Sequence, residues 1–179
     1  MSLKNHMRDL LGCKRMSALS AGETAPEIAL SSTNGKELSL AEALKKGPVL
    51  AAFFKVSCPT CQFAMPFLER LHETYGGANF SLLGISQDGA EPTSEFCAEY
   101  GLKFPTMIDD NGYPASNQYG ITNVPTLFLI APDGKIQNSS VGFSKADLEA
   151  IAAAAASATG KLPAPLFKAG EVVPATKSG

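Results

Sequence analysis

Pro48-Val49-Leu50-Ala51-Ala52-Phe53-Phe54 is followed, after Lys55-Val56-Ser57, by Cys58-Pro59-Thr60-Cys61. The first run is short, apolar and continuous, the pattern of a strand buried on both faces. From Cys61 the apolar residues Ala64, Phe67, Leu68, Leu71 and Tyr75 recur at three- and four-residue spacing, and Gly76-Gly77 supplies a stop. That spacing predicts a helix over 61–75. Cys58 is therefore expected at a helix N-terminus, where unpaired N–H groups and the positive end of the helix dipole favour an anion. A thiol so placed ionises more readily than a free one, and the thiolate is the form that attacks disulfides.

Strands and helices alternate outward from this unit. Pro26 to Leu30 and Lys36 to Leu40 flank the turn Ser32-Thr33-Asn34-Gly35 and read as an N-terminal β-hairpin. Phe80 to Ile85, closed by Asp88-Gly89, reads as the second strand of a βαβ crossover. Pro92 suits a first helical turn, Phe96 and Tyr100 share a face, and Gly101 can end that helix before the extended Phe104 to Ile108. Thr126 to Ile130 and Lys135 to Val141 flank Pro132-Asp133-Gly134, a turn signal between antiparallel strands. Ser144, with Asp147 three residues on, opens a last helix that runs through five alanines to Gly160. The expected organisation is an N-terminal arm over 1–22, one α/β domain over 23–160, and an irregular proline-containing tail over 161–179 that lies along the domain.

Composition narrows the function classes. The chain has 179 residues, 45% of them hydrophobic, and a formal net charge of −2. That suits one domain with a real core and gives no basic run for nucleic acid. No apolar run approaches the ~18 residues of a membrane span. Leu10-Leu11-Gly12, amid Lys4, Arg8, Lys14 and Arg15, is too short for a secretory signal, so the expected location is cytoplasmic. Four cysteines are too few for a disulfide scaffold and point to redox or metal chemistry instead. A zinc site would need Cys13, Cys97, His6 or His72 beside the pair, and none of these forms a second close pair. His72 is eleven residues from Cys61, about 16 Å along a helix, and reads as a solvated surface residue. No metal and no cofactor are expected. Cys97, between Phe96 and Ala98, reads as a small core hydrophobe, and nothing near Cys13 marks it as reactive.

Four stretches together resemble the thioredoxin superfamily, in particular the redoxin branch that holds TlpA-like thiol:disulfide oxidoreductases and peroxiredoxin-like proteins. They are Phe53 to Cys61; Pro66, five residues after the second cysteine; Tyr119-Gly120-Ile121-Thr122-Asn123-Val124-Pro125-Thr126; and Ala131 to Ile136. The resemblance covers about residues 23–160. It implies a thioredoxin-like fold, a central mixed β-sheet flanked by helices, and the separation of 67 residues from Cys58 to Pro125 leaves room for an inserted strand–helix segment. It also implies that Pro125 is cis and faces the cysteine pair. A proline there offers no N–H, and the backbone of Val124 can pair with an extended substrate segment.

Several positions depart from the family pattern. Ser57 stands where such reductases carry tryptophan, and Ala52 where they carry a buried carboxylate, so proton removal from Cys61 needs another route. Lys55 reads as a solvated charge. The proline and threonine that precede a peroxidatic cysteine are absent, since Ala51 and Lys55 stand seven and three residues before Cys58. The reading is thus a thiol:disulfide oxidoreductase in which Cys58 attacks and Cys61 resolves, with Val124 and Pro125 binding a protein or small-molecule disulfide or thiol. The alternatives are a thiol-dependent peroxidase and a non-catalytic module holding a soft metal, for which Met65, one turn from Cys61, is a possible further ligand.

Overall fold

The computed structural model describes residues 17–179. Cys13, His6 and most of the expected arm lie outside the described residues. The elements run β1 (Ala29–Ser31), β2 (Glu37–Ser39), α1 (Leu40–Leu44), β3 (Val49–Phe54), α2 (Pro59–Tyr75), β4 (Ser81–Ser86), α3 (Ala90–Tyr100), β5 (Thr106–Ile108), α4 (Pro114–Tyr119), β6 (Thr126–Ile130), β7 (Ile136–Val141), β8 (Phe143–Ser144), α5 (Lys145–Thr159) and β9 (Thr176–Lys177). The main sheet has the order β5-β4-β3-β6-β7, parallel across β3, β4 and β5 and antiparallel across β3, β6 and β7. It is the mixed α/β sheet flanked by helices that the resemblance implies.

Strand β3 is central, and all six of its residues are buried. Its side chains alternate between two apolar layers. Leu50, Ala52 and Phe54 face a layer containing Leu68 and Leu71 of α2, Phe96 of α3 and Leu148 and Ile151 of α5. Val49, Ala51 and Phe53 face a layer with Leu19, Ile28, Leu40 and Tyr119. A strand covered on both faces cannot alternate polar with apolar, which is why its sequence is one apolar run.

Helix α2 begins at Pro59, two residues before the periodicity predicts. Proline suits a first turn because its missing N–H has no intrahelical partner there, and the Cys58 side chain caps the turn by accepting from Cys61 N–H. Ser144 caps α5 by accepting from Asp147 N–H. The carboxylate that would complete a reciprocal box instead accepts from Ser140 Oγ at 2.6 Å, tying α5 to β7. His72 is half-buried, not solvated: its ring meets Phe104 edge-on at 6.0 Å, and its Nδ1 is buried with no hydrogen-bond partner among the described residues.

Candidate active site

Topology assembles the site at one sheet edge. β3 and β4 run parallel, so their C-terminal ends share that edge. β6 runs antiparallel to β3, with Phe53 opposite Thr126, which brings the start of β6, and therefore Val124-Pro125, to the same edge. β7 ends there too, with Val141 opposite Thr126.

Cys58 stands at the mouth of α2 with its Sγ 3.3 Å from Cys61 N and 3.3 Å from the Val124 carbonyl oxygen. It is half-exposed, whereas Cys61 is completely buried. Both are free thiols. Burial pushes the Cys61 thiol well above the ordinary range; a backbone hydrogen bond from Lys55 partly offsets this, and the neighbouring Cys58 and the charge of Asp88 push it further up. The Val124–Pro125 bond is cis. Pro125 O accepts from Gly142 N–H at 2.7 Å, and Asn123 O accepts from Thr126 Oγ1 at 2.7 Å, so both sides of the Val124 peptide are tied down.

The loop before Cys58 is held by a residue that the sequence reading used only as a turn signal. Asp88, just past the end of β4, accepts from Val56 N–H at 2.8 Å, and Gln62 Nε2 donates to Val56 O at 2.9 Å. The signal that could have found Asp88 is its place at the carboxyl end of the strand next to β3, where sheet topology brings chemistry together. The other candidates lie elsewhere. Cys97 is half-buried, its Sγ 3.9 Å from Thr106 Oγ1, and burial raises its pKa. Met65 is fully buried in the core. Among the described residues no group of three or more histidine, cysteine or acidic side chains is arranged to hold a metal ion.

Residues 20–156, most of the chain and the whole of this site, match the family model described as Redoxin. The chain belongs to the redoxin family. Like other redoxins of this branch it is a thioredoxin-like oxidoreductase. It is 31% identical to the thiol-disulfide oxidoreductase ResA of Bacillus thuringiensis (strain Al Hakam), over 68% of this chain and 69% of that one. Identity to ResA of Geobacillus thermodenitrificans (strain NG80-2) is 32%, over 74% and 76%. A crystal structure of a thioredoxin-family thiol:disulfide interchange protein from Chlorobium tepidum TLS superposes with a TM-score of 0.64 at 28% identity, covering 77% of this redoxin and 99% of that chain.

Proposed function

We propose that this redoxin exchanges disulfides through Cys58 and Cys61. The observation that carries the reading is the asymmetry of the pair: Cys58 is half-exposed at the open end of α2, against Val124 O, while Cys61 is sealed beneath it. The Cys58 thiolate attacks one sulfur of a substrate disulfide, forming an S–S bond as the substrate bond breaks and its second sulfur leaves as a thiolate that takes up a proton. Cys61, after losing its proton, attacks Cys58 Sγ; the Cys58–Cys61 disulfide forms and the second substrate thiol departs. The substrate gains two electrons and the pair loses two. Val124 and Pro125 present a fixed backbone edge beside the reacting sulfur, to which a substrate segment pairs.

Direction follows the thiol poise of the compartment. In a reducing cytoplasm the pair is kept as two thiols and acts as a reductant. The test is reduction of insulin disulfides by the native protein and by Cys58→Ser, alongside stopped-flow mixing with hydrogen peroxide. Insulin reduction lost in Cys58→Ser, with slow consumption of peroxide, is the expected result. Fast, saturating peroxide consumption without disulfide reduction would replace this reading with the peroxidase one.

A further inference from the structure

Residues 161–179 run back along α2, from its C-terminus to its N-terminus. Lys161 Nζ donates to Thr74 O at 2.6 Å, and Ala164 N–H donates to Tyr75 Oη at 2.8 Å. Arg70 grips Glu171 with two bonds of 2.8 and 2.9 Å. Lys177 Nζ lies 4.9 Å from the centre of the Phe63 ring, and Thr60 Oγ1 donates to Ser178 O at 2.6 Å. The segment thus ends on the cysteine motif itself. There β9 pairs antiparallel with β8, Phe143 opposite Lys177 and Ser144 opposite Thr176. Asn123 Nδ2 donates to Gly179 O at 3.3 Å.

Two glycines make this approach possible. A Cβ on Gly142 would lie 2.6 Å from Lys177 O, and one on Gly179 would collide with the backbone of Val124. Glycine permits such backbone-to-backbone approach. Under this cover Thr60, between the two cysteines, is only 7% exposed. The backbone beside Cys58 is therefore already lined by an extended strand of this chain.

We propose that the lane formed by Phe143, Ser144, Thr60, Asn123 and Val124 is the docking surface for an extended protein segment, and that residues 176–179 fill it as a surrogate the partner displaces. The proposal rests on Cys58 being the reacting sulfur. The partner it fits is a strand that pairs antiparallel with β8, carries a cationic side chain over Phe63, and passes Val124 with a residue lacking a side chain. Strand addition of this kind takes its affinity from main-chain hydrogen bonds and its selectivity from the flanking contacts. The surrogate is built to leave: β9 has two residues, and Ser178 and Gly179 are exposed. Segments with few buried contacts open at low free energy. Tethering keeps the segment at high effective concentration, so a partner binds with an affinity reduced by the fraction of time the lane is open. A small disulfide needs only Cys58 Sγ and gains little from the lane.

The test compares the full chain with a variant ending at Ala175, and with Gly179→Ala, which pushes the end of the segment off Val124 without deleting a residue. Rates of mixed-disulfide formation at Cys58, mapped by mass spectrometry, are measured with insulin and with oxidised glutathione. If the lane is filled about nine-tenths of the time, both variants react with insulin roughly tenfold faster and with oxidised glutathione within about twofold of the full chain. A peptide spanning residues 175–179, added in trans, slows the shortened variant toward insulin alone. Unchanged insulin rates, or equal acceleration toward both disulfides, would overturn the proposal while leaving Cys58 as the nucleophile. Exchange that persists in Cys58→Ser would overturn the reaction scheme and the docking lane with it.

Discussion

The two cysteines differ in burial, and burial decides how Cys61 responds to pH. Cys61 is held above the ordinary thiol range chiefly because no water reaches it. Cys97 and Tyr119 are shifted the same way, also chiefly by burial. Below the ordinary thiol pKa both folded and unfolded chains keep these protons, and the contribution to stability is fully present. As pH rises past that value the unfolded chain releases protons that the native state retains, so stability falls. Urea unfolding between about pH 8 and about pH 10 should show a falling midpoint, with a shallower fall in Cys61→Ala than in the native protein. Parallel slopes for the two would mean that Cys61 is not raised. Tyr119 adds a test without a charge: its hydroxyl donates to Pro26 O at 2.6 Å, so Tyr119→Phe should lose about 1 kcal/mol, read from the same unfolding curves.

At the scale of elements, what the sequence made legible depended on length and pattern. β3 and β6 were readable to the residue, because a strand covered on both faces needs an uninterrupted apolar run. α2 and α5 were readable because each spans several turns and ends at a glycine. α1 and α4 were not, since five and six residues are too few to show a 3.6-residue period. β9 was hidden as well: nothing in Thr176-Lys177 marks a strand until β8 is beside it. The same limit applied to the site. Cys58, Cys61, Val124 and Pro125 are visible as motifs, whereas Asp88 and Thr60 gain their partners only through chain crossings 32 and 118 residues apart. Two substitutions check the elements. Phe53, fully buried between Tyr119 and Phe128, should cost about 3–5 kcal/mol when changed to alanine. Ser144→Ala, which removes the cap of α5, should cost about 1 kcal/mol. Calorimetric unfolding that ranks Ser144→Ala at or above Phe53→Ala would contradict this assignment of the core.

Over the whole molecule, one sheet edge collects Cys58, Cys61, the tied-down backbone of Val124 and Pro125, and residues 176–179 of the returning segment. The grip of Arg70 on Glu171 holds that segment midway along α2, and the guanidinium, helped by Lys168 N–H, lowers the Glu171 carboxyl to about 2. A carboxylate lowered in the folded state stabilises above its ordinary pKa, and that contribution is lost as pH falls from about 4.5 toward 2. Hydrogen-exchange protection across 166–177, corrected for the intrinsic rate at each pH, should fall over that window, and Glu171→Gln should show the lower protection already at neutral pH. Which sulfur attacks and which resolves is read by mixing Cys61→Ser with a protein disulfide, quenching with acid and mapping the adduct by mass spectrometry. The expected product is a stable mixed disulfide on Cys58, because the buried thiol that would release it is gone. A Cys61→Ser protein that still turns over efficiently, or a mixed disulfide found on Cys97, would contradict it.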